Sequence, residues 1–170
     1  MKQHMMAIAL AGFCLGAAGP VWAAERVELT TRVSGVVDEV LVKSGQRVKK
    51  GAVLLRLDKT VLQARLDEAA AEQARADADE EDARRELERA EELFNRTVSS
   101  TSELEAATLR HARAKAALGG ANARLVIAKK NLGDAELKAP FSGVVSSVPG
   151  GPGTVVTADC QPKPLVILQP

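Results

Sequence analysis

Few side chains in this sequence could do covalent or metal chemistry. Its 170 residues hold two histidines and two cysteines. His4 and Cys14 fall within residues 1–23, which read as a secretory signal peptide. Lys2 supplies the positive start, residues 5–18 an apolar run, and Val21-Trp22-Ala23 small residues at the two positions a signal peptidase inspects. The run is too short for a comfortable membrane span, and Phe13 before Cys14 argues against lipoprotein processing. A mature chain begun after Ala23 keeps only His111 and Cys160. One cysteine makes no internal disulfide and reads as a small packed side chain. One histidine completes neither a zinc site nor a Ser/His/Asp triad. The run Asp77, Asp79, Glu80, Glu81, Asp82 lacks the central glycine of a calcium loop and reads as a solvated face. With Trp22 removed and no tyrosine, no aromatic cage or stacking platform can be built. A net charge of +1, with Lys and Arg spread along the chain, carries no nucleic-acid signal. The expectation is no enzyme, no cofactor and no metal.

What remains is recognition by shape, and the stretch that would present it is residues 59–137. Apolar positions there step by alternating fours and threes, the seam of a coiled coil. The first half runs Leu62, Leu66, Ala69 and on to Ala90 and Phe94; the second runs Leu104, Ala107, His111 and on to Leu132 and Ala135. Folded about a tip near residues 96–99, the seams stay in register from Phe94 opposite Leu104 to Leu62 opposite Ala135. Leu87 falls opposite His111, which reads as a tolerated polar packing residue. Residues 59–95 carry 12 acidic and 6 basic side chains, and residues 103–138 carry 4 and 7. An acidic arm against a basic one favours antiparallel pairing. Asp58 caps the first helix, with Leu57 and Leu62 as a hydrophobic staple, and Ser100-Thr101-Ser102-Glu103 is a capping box for the second. Gly119-Gly120 marks a weak point midway, and Pro140 is expected to stop the second helix.

On either side lie short β-branched runs punctuated by glycine turns, residues 24–58 and 138–170. They repeat one another. Shifted by 108 residues, Ser34-Gly35-Val36-Val37 falls on Ser142-Gly143-Val144-Val145. Val40 falls on Val148, Gly45 on Gly153, Val48 on Val156 and Leu57 on Leu165. Neither half has the apolar surface for a core of its own, so the two are expected to pack together. The fold expected is α+β: a long antiparallel helical hairpin inserted between two halves of one small β-module.

That order resembles the periplasmic adaptor proteins, also called membrane fusion proteins or the HlyD-like family. SGVVDEVLVKSGQRVKKGAVLLRLD (34–58) is similar to the family's first biotinyl-lipoyl-like half, and LKAPFSGVV (137–145) to its second. The resemblance implies a structural module without cofactor, so Lys59, close to a lipoyl domain's modified lysine, is expected to stay unmodified at the start of its helix. Family members that engage a TolC-like outer-membrane channel carry at the tip an Arg, three residues, a Leu, six residues and a Ser. Arg89, Leu93 and Ser100 match that spacing, and the resemblance implies that they are the partner-binding residues. Helix capping alone would also explain Ser100, neighbouring glutamates could hold Arg89, and Leu93 could widen the apolar stripe. Where the family often has glycine near the tip, this chain has Thr97.

The resemblance implies a homo-oligomeric periplasmic adaptor of an efflux or type I secretion system. It would link the outer-membrane channel to an inner-membrane transporter of RND or ABC type. The family's β-barrel and membrane-proximal domains are not found in these 170 residues. Docking to the transporter is therefore expected to be weaker, supplied by another subunit, or absent, as in a truncated copy. A periplasmic coiled-coil scaffold or regulator that forms no conduit is the alternative.

Overall fold

In the computed structural model, residues 26–97, 100–158 and 163–170 are described. The signal-peptide reading and Cys160 lie outside them. Eight strands and two helices follow in the order β1 (Val27–Leu29), β2 (Gly35–Val40), β3 (Arg47–Val48), β4 (Val53–Leu57), α1 (Thr60–Asn95), α2 (Thr101–Asp134), β5 (Glu136–Lys138), β6 (Gly143–Ser147), β7 (Val155–Val156) and β8 (Val166–Gln169).

The strands form two antiparallel sheets, in the orders β1-β8-β6-β3 and β5-β4-β2-β7. Each sheet takes two strands from before the hairpin and two from after it, so the halves interleave. The 108-residue repeat explains the arrangement. It carries β1, β6 and β3 onto β5, β2 and β7, and β8 takes in the first sheet the place that β4 takes in the second, three residues further along than the constant offset gives, so the strand order of one sheet is the image of the other. The register agrees, because Val48 pairs Gly143 in the first sheet and Val156 pairs Gly35 in the second. The turns agree as well. Gly45, at φ 82°, donates to the Val145 carbonyl at 2.7 Å, and Gly153, at φ 83°, donates to the Val37 carbonyl at 2.8 Å. Between the sheets lie Val37, Leu54, Leu55, Leu57, Val145, Leu165, Val166 and Leu168, none more than 1% exposed. Interleaving lets both halves share one core that neither could build alone.

The helices, of 36 and 34 residues, pack along their length; α1 reaches about 54 Å from the sheets at 1.5 Å per residue. Every expected seam residue is buried or half-buried except Phe94, which is 38% exposed at the tip. Flanking charges add pairs between the helices: Arg110 with Glu86, and Arg124 with Glu72 at 3.5 Å. His111 does not simply pack on Leu87. Its Nε2 lies 3.0 Å from the Glu80 carboxylate, which gives two polar seam residues one another as partner. The N-cap of α1 is Lys59, one residue after the expected Asp58, and its side chain makes no capping bond; Asp58 instead accepts from the Thr60 amide at 2.8 Å. Hydrogen bonds from the Thr60 side chain and from its backbone amide hold the Asp58 carboxyl below its ordinary pKa.

The second helix ends earlier than its apolar rhythm suggests. It stops at Asp134, and residues 136–138 become β5 on β4. Sheet pairing, not Pro140, sets the end. Glu136 thereby reaches Lys59 at 2.7 Å and Lys138 at 3.3 Å, while Arg56 spans to Glu39 at 2.5 Å. With the Leu57 amide donating to the Ala135 carbonyl at 2.9 Å, this cluster closes the hairpin base. Hydrogen bonds from Lys59 and Lys138 hold the Glu136 carboxyl below its ordinary value of 4.5. A depressed pKa in the folded state means that the stabilisation is complete above the unfolded value and is lost as pH falls through the folded one. Acid titration of the parent should therefore show the base loosening below about pH 4.5. Glu136→Gln should weaken the base at neutral pH and flatten that dependence. An unchanged acid profile in the variant would place the titrating group elsewhere.

Candidate contact site at the hairpin tip

Arg89 and Leu93 stand four residues apart on α1, so they share one face near its end. Both flank the seam instead of lying in it. Leu93 is 45% exposed. Arg89 is exposed, and among the described residues no ion pair involves it, although glutamates are plentiful nearby. Glu88 is taken by Arg84 and Glu92 by Arg96, each four residues away along the helix. The arginine's donors are therefore left facing solvent, able to meet carbonyl or carboxylate oxygens of another molecule.

The two residues line a shallow groove of about 420 Å³ between the helices, with Ala106, Ala107 and the Glu86–Arg110 pair. Small side chains on α2 create it by leaving the α1 side chains standing above them. Arg110 and Ala106 escaped the sequence reading, because a groove depends on which residues of two distant segments come level.

Ser100 is on the far side of the tip and does not line the groove. It is the N-cap of α2, and its hydroxyl accepts from the Glu103 amide at 3.3 Å. The Ser100 amide donates to the Glu103 carboxylate at 3.0 Å. The capping box forms as its residues suggest. The geometry thus brings Arg89 and Leu93 together and gives Ser100 a capping role within the chain.

Thr97 lies in the left-handed region, at φ 63°, the only non-glycine with positive φ among the described residues. Its amide donates to the Phe94 carbonyl at 2.9 Å and ends α1. A β-branched residue is strained there, and glycine is not. Thr97→Gly should stabilise the hairpin by about 1 kcal/mol, read as a higher unfolding midpoint. A lowered midpoint would mean that the threonine side chain supplies more than the strain costs.

Comparisons with known proteins bear on the family and the fold. The family model described as RND MFP, barrel-sandwich hybrid domain, matches residues 25–169. The Efflux pump periplasmic linker BepF of Brucella suis biovar 1 (strain 1330) is 34% identical over 151 residues, 89% of this chain and 37% of that protein. The linker BepD of the same organism is 32% identical over 133 residues, 78% of this chain and 34% of its own length. A crystal structure of a MacA-MexA chimeric protein, containing the Pseudomonas aeruginosa MexA α-hairpin domain, superposes with a TM-score of 0.61 at 25% identity. It covers 85% of this chain and 46% of the chimera. The chain thus spans a little over a third of the length of these curated relatives.

Proposed function

The chain belongs to the family of RND membrane fusion proteins, and from that premise we propose that it works as a periplasmic adaptor, exported by a cleaved signal peptide and without catalytic chemistry of its own. Copies stand side by side with hairpins parallel. Their tips meet a TolC-like outer-membrane channel, and the assembly links it to an inner-membrane transporter, of RND type by the family's name. The role is mechanical: to align and seal a conduit. Relatives named as periplasmic linkers of efflux pumps support the location and the role.

The observation that carries this reading is the pair at the tip. An arginine without an ion-pair partner among the described residues stands one turn from a leucine that is 45% exposed, at the end of the hairpin remote from the sheets. An exposed apolar side chain beside an unengaged guanidinium is the composition of a docking spot. Ser100 shapes the loop and contributes to the contact through the cap that it forms.

Site-specific crosslinking from Leu93 in intact cell envelopes tests the proposal. An adduct with an outer-membrane channel is expected. Arg89→Ala should weaken capture about tenfold, the effect of one interface anchor worth 1–2 kcal/mol, with helicity unchanged; Leu93→Ala, with the crosslinker moved to Ser100, should do the same. Adducts with periplasmic proteins alone would favour a scaffold that forms no conduit.

A further inference from the structure

We propose that the groove between α1 and α2 nearest the sheets binds a single-chain amphiphilic anion, with the anionic head held by Arg65 and Asn131 and the chain laid over Ala69, Ala128 and Ile127.

The groove encloses about 710 Å³, a volume typical of small-molecule sites. Its floor is low because Ala69 and Ala128 come level across the seam. Ile127 stands above that floor and is 60% exposed. From Leu62 to Glu72 the groove runs about 15 Å along α1 at 1.5 Å per residue. Glu72 closes the upper end, accepting from Arg75 at 3.0 Å and from Arg124 on the facing helix at 3.5 Å. Beyond that bridge the same face turns polar. Asp79 and Asp82 follow one heptad after Glu72 and Arg75, and Arg113 lies two heptads before Ile127. A docked helix would need an apolar strip that continues along the hairpin, whereas a short ligand needs only the length present.

The lower end sets the charge of the ligand. Glu86 pairs with Arg110 across the helices and, two heptads toward the sheets, Glu72 pairs with Arg124. One heptad further, the same count brings Arg65 level with Asn131. Here the order breaks, because an arginine stands on α1 in place of a carboxylate and α2 offers a neutral amide. Among the described residues neither Arg65 nor Asn131 has an ion pair or a side-chain hydrogen bond. Both line the groove, and Asn131 is half-buried in it. A guanidinium and an amide facing one another present donors from two sides to the space between them. A carboxylate is the group that this rung lacks, and bonds to it would be charge-assisted. Along the whole groove three guanidiniums face two carboxylates, Glu68 and Glu72, and Glu72 is already shared by two of the three. An apolar chain with one negative head fits both parts: the head completes the Arg65–Asn131 rung, and the chain covers Ile127 and the alanine floor.

Fluorescence titration of the full chain with a dansyl-labelled undecanoate tests the proposal. Saturable binding with a blue-shifted emission is expected. Laurate should displace the probe, and dodecyltrimethylammonium, equal in chain length and opposite in charge, should not. Arg65→Ala and Ile127→Glu, both at exposed positions, should each weaken binding about tenfold with helicity unchanged. Glu68→Gln should tighten it, because the carboxylate on the rim repels the head. Independently of any variant, a diazirine-bearing fatty acid should label the parent within residues 62–75 and 124–131. Absence of saturable binding, equal displacement by the cation, binding unchanged in both weakening variants, or label confined to the sheets would overturn the site. Vesicles of phosphatidylglycerol should carry down no protein; co-sedimentation lost in Arg65→Ala would assign the groove to a membrane surface and overturn the free-ligand reading.

Discussion

Replacing Gly143 by alanine should collapse much of the β-module, while the same change at Gly35 should be tolerated. The two glycines are equivalent in the repeat, and each pairs with an equivalent valine on the neighbouring strand. Their surroundings differ. A Cβ on Gly143 would overlap the Gln169 carbonyl oxygen and lie 2.9 Å from the carbonyl carbon. A Cβ on Gly35 would meet Leu57 Cδ1 at 3.5 Å, an ordinary contact. Backbone is the obstacle at Gly143, so relief requires β8 to move away from β6. β1 pairs with β8 at the sheet edge and would be displaced with it. A cost of about 3 kcal/mol follows for Gly143→Ala, against less than about 1 for Gly35→Ala. For a domain of this size that is a fall in Tm of roughly 10 °C for the first and little for the second. Equal effects would mean that the two sheets tolerate the same change alike and that the close approach of β8 is relieved without cost.

That asymmetry could not be read from the sequence, and the reason is physical. The repeat is visible because identical residues recur at a constant offset, from Ser34 to Leu57 and again from Ser142 to Leu165. It says that two halves share a fold. It does not say that they exchange strands, because pairing between β3 and β6 joins residues far apart in sequence. The helical seam was legible because its period is local: a stripe from Leu62 to Ala90 stays on one side of a helix whatever lies opposite. Its end was not, since residues 136–138 choose between another helical turn and an edge on β4, and β4 is the distant partner that decides. The tip divides in the same way. Arg89 and Leu93 are recognisable as flanking positions from their spacing, whereas the groove they line needs Ala106 and Ala107 of α2 at the right height. Glu80 beside His111 was missed for a similar cause, because side chains lean along their helices and meet a partner off the level of their own backbone.

Ala121→Leu should open the hairpin in its middle and leave the sheets intact. Ala121 is fully buried, and Ala76 and Ala83 on α1 are each 4% exposed. Alanines on both sides of the seam let the helices approach closely, and the space that a leucine needs is absent. Three added carbons must either force a strained rotamer or push the helices apart, at a cost of about 2 kcal/mol. Separation would also stretch the nearby Arg124–Glu72 pair, already at 3.5 Å. Gly119 and Gly120 lie beside the site and lower the local resistance to bending. Ala117→Leu, one turn away and exposed, controls for the added side chain and should change stability by less than about 0.5 kcal/mol. The damage should remain local. The base is held separately by the Leu57–Ala135 backbone bond and the Glu136 cluster, so the hairpin can loosen while the sheets stay paired. Hydrogen exchange should therefore quicken across residues 114–128 and stay slow at Val37 and Val145. Equal acceleration at all these amides would show hairpin and sheets unfolding as one unit, and the alanine seam would then contribute to the stability of the whole fold.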